Sequence, residues 1–225
     1  MTSLTARALA DFVTKLVIVS LLLFLPAWSL DFWEAWVFLF IFFTPQLLII
    51  IYFLRKDPDL VKRRLKGRLF AENRTYQKVI ESLVRLFYIL MVLVPGFDHR
   101  FNSLHVPAFL VIAADAAVLL GFLIQFHVFK ANTFASAVVE IAVKQKVIST
   151  GPYAVVRHPM YSGALVVFFF TPIALGSWWG LPIAPAMLGV IILRLLDEEK
   201  LLHQSLPSYE EYCQEVQYRL IPHIW

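Results

Sequence analysis

Residues 33–54 read WEAWVFLFIFFTPQLLIIIYFL, and residues 55–78 follow as RKDPDLVKRRLKGRLFAENRTYQK. The first stretch is one apolar run, and about 20 such residues suffice to cross a hydrocarbon core of about 30 Å. The second carries Arg55, Lys56, Lys62, Arg63, Arg64, Lys66, Arg68, Arg74 and Lys78. Lys and Arg next to a span are retained on the cytoplasmic side. Together the two stretches predict a membrane-spanning helix whose C-terminal end faces the cytoplasm. Segment 55–78 itself is read as a topogenic loop that rests on anionic headgroups.

Working outward, further apolar runs predict spans at about 8–28, 79–97 and 104–128. A longer run, about 160–196, is broken by Pro172, Gly176, Gly180, Pro182 and Pro185. It is expected to form two helices joined by a turn at Gly176-Ser177-Trp178-Trp179-Gly180, with the paired tryptophans at a lipid interface. Trp28, Trp33 and Trp36 suit a similar belt. The expectation is therefore an all-α, polytopic bundle of about six transmembrane helices, the last two a hairpin, with a short cytoplasmic C-terminal tail. Two regions follow: 1–128, the N-terminal spans with the basic loop, and 129–225, the cofactor-binding and catalytic region. Threading six spans places Lys130, Lys144, Lys146, Arg157, Lys200 and Arg219 on the basic side with both termini, and leaves Arg100 in an outer loop.

Composition agrees, since 60% of the 225 residues are hydrophobic and the mean hydropathy is +0.71, more apolar side chain than a soluble domain of this size hides. Arg7 and Lys15 ahead of Leu16 to Leu25 resemble a signal peptide, but Pro26-Ala27-Trp28-Ser29 is a poor cleavage site, so this run is expected to be a retained anchor. The single cysteine, Cys213, excludes an intramolecular disulfide and a thiol-rich metal site. The six histidines lack the paired spacing that holds a metal on a helix face, so no metal is expected. The basic loop lacks interleaved stacking aromatics, so no nucleic acid is expected either. No small-xxx-small face marks a dimer.

The chemistry-bearing residues gather in two places. The first runs from Lys130-Ala131-Asn132-Thr133 through Gln145 to Gly163. Gly151-Pro152 forces a turn, and Pro159 holds His158 extended at a helix entrance, where free backbone donors can bind an anion. Tyr153 and Tyr161 offer faces for a purine or a cation. The bland alternative is a membrane boundary, with Arg157 snorkelling and the tyrosines at headgroup depth. The second place follows the last apolar run: Arg194, Asp197-Glu198-Glu199 and Lys200, then Tyr209, Tyr212 and Arg219. Arg194 and Glu198 stand four apart on one helix face at the membrane edge, where an ionisable pair is a site candidate or a structural ion pair. A Gly-x-Gly-x-x-Gly, a Walker loop and a Gly-x-Ser-x-Gly elbow are all missing, which excludes soluble nucleotide folds.

The pattern Gln145-x-Val147-Ile148-x-x-Gly151-x-Tyr153-x-x-x-Arg157-His158-Pro159-x-Tyr161-x-Gly163, then Arg194-x-x-x-Glu198-Glu199 and Tyr209-x-x-Tyr212, resembles the isoprenylcysteine carboxyl methyltransferases. These are membrane-embedded, S-adenosylmethionine-dependent enzymes that also resemble phospholipid methyltransferases. The resemblance covers about the last 95 residues. It implies that Gln145, Lys146, Val147, Ile148, Tyr153, His158, Pro159, Met160 and Tyr161 surround S-adenosylmethionine, and S-adenosylhomocysteine after transfer. It also implies that Arg194 and Glu198 face a lipid-like or prenylated acceptor, although the acidic run permits a register shifted by one. A carboxylate acceptor would need no base, with Arg194 orienting it. An amine or hydroxyl would call on Glu198 or His158. NADPH-dependent sterol or enone reductases share an Arg-His-Pro-x-Tyr-x-Gly stretch and are the competing enzyme class; a non-catalytic membrane protein with a decayed site is the third.

Overall fold

The computed structural model describes residues 2–65, 75–101, 105–135 and 147–225. Those residues form eight α-helices and no strand: α1 (Thr2–Ala27), α2 (Trp33–Lys56), α3 (Pro58–Leu65), α4 (Thr75–Phe101), α5 (Ala108–Ala131), α6 (Pro159–Ala174), α7 (Ile183–Ser205) and α8 (Tyr209–Glu215). One 3-10 turn, Gly151–Ala154, precedes α6.

Four helices, α1, α2, α4 and α5, are long and apolar enough to cross a membrane. Their outer faces confirm the solvent they need: on α1, Leu9, Val13, Val17, Leu21 and Leu25 form an exposed stripe with a spacing of four, the period of one helix face. Phe40, Phe109 and Ile112 are exposed in the same way. Large contiguous apolar surface of this kind belongs in lipid.

The expected hairpin is present, but its arms are shorter than the other spans. The 16 residues of α6 extend only about 24 Å at about 1.5 Å per residue. The apolar part of α7 ends at Leu196, giving about 21 Å by the same measure. The turn lies where the breakers predicted it. Gly176 adopts φ +70°, Ser177 Oγ donates to Asp98 Oδ2 at 2.7 Å, and the Gly180 N–H donates back to Ser177 Oγ at 3.2 Å. Trp179 is exposed there. The two arms of the hairpin return the chain to the side it left.

A central core joins α1, α2, α4, α5 and α6 through residues such as Leu23, Phe38, Phe42, Val92, Val118, Phe122 and Val167. Helices α5 and α6 approach closely. A Cβ on Gly121 would sit 2.6 Å from Val167 Cγ2 and 2.8 Å from the Gly163 carbonyl oxygen. Two glycines face each other, and the backbones meet where side chains would have held them apart. This contact lies about one turn inside the start of α6 and fixes the position of that helix entrance.

At the basic end a second cluster packs Ala8, Phe53, Leu60, Val61, Val128 and Phe129 together. The loop after α2 therefore folds back as α3 onto the bundle, with the Leu60 N–H accepted by Asp57 Oδ1 at 3.0 Å. The tail also returns. The Arg157 N–H donates to the Tyr218 carbonyl at 2.9 Å and the His158 N–H to that of Arg219 at 3.0 Å. These bonds tie residues 216–225 to the mouth of α6.

Candidate functional site

At its polar end α7 carries three consecutive acids, and each residue of a helix advances about 100° around the axis. Asp197, Glu198 and Glu199 therefore reach three different neighbours. Asp197 Oδ2 accepts from Gln77 Nε2 at 2.5 Å, a fully buried amide on α4. Glu198 Oε2 accepts from the Tyr161 hydroxyl at 2.5 Å. Glu199 gathers the cations: His158 Nε2 is 3.2 Å and Arg157 Nε 3.3 Å from Oε1, and Arg219 Nε donates to Oε2 at 2.8 Å. One carboxylate thus holds the α6 entrance and the returning tail together.

Burial alone would raise the Glu199 carboxyl. Hydrogen bonds from His158 and Arg219, and the charges of His158 and Arg157, outweigh it and hold the group at about 2. Arg194 completes the second group, its Nε donating to the Tyr161 hydroxyl at 3.1 Å. Arg194, Tyr161 and Glu198 form a linked set, with the phenol receiving from the guanidinium and giving to the carboxylate.

This set borders a small cleft of about 80 Å³. Its lining includes Val147, Ile148, Tyr153, His158, Met160, Tyr161 and Glu198. Each was singled out in the sequence, and the fold brings them to one cleft. Pro159 is the first residue of α6 and is buried; it sets the helix entrance and does not border the cleft. Arg194 reaches the cleft through Tyr161. Gln145 and Lys146 lie outside the described residues.

Aromatic residues complete the lining. The Tyr212 hydroxyl donates to the Tyr153 carbonyl at 2.7 Å, and Asn132 Nδ2 donates to the Tyr153 hydroxyl at 2.9 Å. Burial pushes the Tyr153 phenol up to about 12, so it stays protonated. The Tyr209 hydroxyl is buried and has no hydrogen-bond partner among the described residues. Its residue lines the cleft, so a ligand there would meet an unsatisfied polar group. Leu202 and Leu206 line it as well. Sequence reasoning quoted Tyr209, Tyr212 and Asn132 without giving them a role. The signal available was the Tyr-x-x-Tyr spacing, which on α8 puts both rings on one face. Arg157, Arg219 and Glu199 were read separately and form one ionic cluster. Arg64, assigned to a topogenic loop, has its Nη1 3.6 Å from Met160 Sδ, and no local pattern announces that placement.

Among the described residues no group of His, Cys, Asp or Glu could hold a metal ion. Compared with known proteins, residues 109–207 match the family model for phospholipid methyltransferase. No curated protein matches the chain. The matched span runs from α5 to the second residue after α7 and includes most of the cleft and the Arg194, Tyr161 and Glu198 set. Residues 109–207, set inside an apolar helical bundle, are thus similar to the phospholipid methyltransferase family, which includes the isoprenylcysteine carboxyl methyltransferases.

Proposed function

We propose that the protein transfers a methyl group from S-adenosylmethionine to a lipophilic acceptor, an isoprenylcysteine-like carboxylate being the substrate that suits the site best. The observation that carries this reading is the convergence of Val147, Ile148, Tyr153, His158, Met160, Tyr161 and Glu198 on one cleft. The fit is chemical as well. The tyrosine faces and the Glu198 carboxylate suit a purine and a sulfonium cation, and the unsatisfied Tyr209 hydroxyl offers a further hydrogen bond. When bound, S-adenosylmethionine supplies an electrophilic methyl group on sulfur.

The protein's own residues then bind, orient and exclude water. Tyr161 holds Glu198 toward the cleft, and Arg194 is placed through Tyr161 to orient an anionic acceptor. A carboxylate is ionised near neutral pH and asks for no base. His158 is committed to Glu199 and keeps the α6 entrance in place. Glu198 would take the proton were the acceptor an amine or hydroxyl. The basic end, and with it the cleft and both termini, faces the cytoplasm in this reading, because Lys and Arg crowd that end. An apolar acceptor then arrives from the membrane and the cofactor from water.

Calorimetry on detergent-purified protein tests the donor. S-adenosylhomocysteine should bind, and binding of NADPH with no response to S-adenosylmethionine or S-adenosylhomocysteine would overturn the reading. His158→Ala and Tyr161→Ala should weaken cofactor binding, whereas Arg194→Ala should chiefly impair transfer.

A further inference from the structure

The cleft is narrower than the donor it is proposed to hold. About 80 Å³ is open within it, against about 300–1,000 Å³ in sites for ligands of drug or cofactor size, so part of its lining must move to admit one. Most of that lining is pinned. The start of α6 is fixed against α5 where Gly121 meets Gly163. It is also tied to the tail, where the Tyr218, Arg219 and Leu220 carbonyls accept from the Arg157 N–H, the His158 N–H and Ser162 Oγ. The polar end of α7 is held by the contacts of its three acids. Helix α8 is different. It has seven residues and lies between extended joints at Leu206 and Val216. Its Tyr209 and Tyr212 pack with Val147, Tyr153, Leu202 and Leu206, and all six of these residues line the cleft. The helix is thus seated on the surfaces a ligand would occupy. The Tyr212 hydroxyl fastens it to the Tyr153 carbonyl at 2.7 Å, while the buried Tyr209 hydroxyl has no partner among the described residues.

We infer that α8 is a lid on the donor cleft, hinged at Leu206 and Val216 and latched by Tyr212 on the Tyr153 carbonyl. Without ligand the lid is shut and its two tyrosine rings occupy the cleft. It lifts to admit the donor and closes over it, and the Tyr209 hydroxyl then gains the partner it lacks. Hinges of this kind are element-terminal residues that absorb the backbone change, and such closures set the rate of ligand exchange. The inference rests on the methyl-transfer reading and adds to it a gate on donor entry and product release. Tyr212 is in these terms a positioning residue, since it acts through Tyr153. Its latch stabilises the shut, empty form, so cutting it enlarges the fraction of protein that is open to ligand. A residue that only contacted the donor, or only supported the fold, would not hasten entry when removed.

The chain's one cysteine is the reporter. Cys213 sits half-buried on α8, its Sγ 4.0 Å from His203 Nε2, so its rate of reaction with a maleimide reads how often the lid is open. On detergent-purified full-length protein, saturating S-adenosylhomocysteine should slow that labelling. Tyr212→Phe, without ligand, should speed it by roughly three- to tenfold, the worth of one hydrogen bond. Rapid filtration with radiolabelled S-adenosylhomocysteine should show the on-rate of Tyr212→Phe raised in the same direction. A variant that was merely unfolding would label faster and bind more slowly. Labelling of the parent at one rate with and without bound S-adenosylhomocysteine, or an on-rate unchanged or lowered in Tyr212→Phe, would overturn the inference while leaving the donor reading intact. If calorimetry showed no S-adenosylhomocysteine binding and Tyr212→Phe still sped labelling, the lid would stand and the methyl-transfer reading would fall. If neither occurred, both would fall.

Discussion

At the scale of the residue, Glu199 makes the strongest energetic demand. It is buried, bonded to His158 and Arg219, and within 3.3 Å of Arg157. Removing one partner from such a cluster leaves the others uncompensated, so Glu199→Gln should cost about 3 kcal/mol, read as a fall in thermal stability. The pH dependence has a definite sign. Its folded pKa of about 2 lies below the ordinary Glu value of about 4.3. Its contribution is therefore complete above the unfolded value and is lost as pH falls toward 2. Thermal unfolding between about pH 4.5 and 2 should show the parent losing stability that Glu199→Gln never had. Tyr209 behaves in the opposite way. Its hydroxyl has no partner among the described residues, so Tyr209→Phe should leave stability within about 0.5 kcal/mol. The same change should weaken S-adenosylhomocysteine binding by roughly three- to tenfold, the worth of one hydrogen bond; calorimetry and thermal unfolding on one preparation separate the two effects.

At the scale of the element, the approach of α5 to α6 sets where the cleft opens. Gly121→Ala would place a Cβ against Val167 and the Gly163 carbonyl, and separating those helices should cost about 1–3 kcal/mol and lower methyl transfer. Gly189 on α7 has nothing within 4 Å of such a Cβ, so Gly189→Ala should be neutral or stabilising by up to about 1 kcal/mol. Thermal unfolding of the two variants side by side checks both. Helices α1, α2, α4 and α5 were legible because lipid demands long apolar runs, and the α6–α7 turn because Gly176 and its neighbouring prolines break one. The shortness of α6 was less visible, since apolarity alone does not mark depth. The returning tail was not legible at all: residues 216–225 are held by backbone bonds to Arg157 and His158, which leave no periodic trace. Of the site, the chemistry of Tyr161, His158 and Glu198 was carried by motif spacing. Arg64 was hidden because an arginine in a basic loop looks the same whether it faces headgroups or Met160.

At the scale of the molecule, the even return of the hairpin puts α8 at the same end as α3 and the start of α1. In a Cys213→Ser background, Glu210→Cys on α8 should react with a membrane-impermeant maleimide only from the cytoplasmic side. Trp179→Cys, in the exposed turn, should react from the outer side, and labelling of both from one side would reverse or break the assigned topology. The three acids of α7 limit how such a chain can change length. One residue inserted or deleted between Leu181 and Asp197 would rotate everything beyond it by about 100°. Gln77, Tyr161 and the Arg157, His158 and Arg219 group would then each face the wrong carboxylate. Substitutions within α7 act one contact at a time, whereas a single-codon indel breaks all three at once. A change in the length of the hairpin that spares all three contacts should therefore fall before Leu181, at the far end from the chemistry.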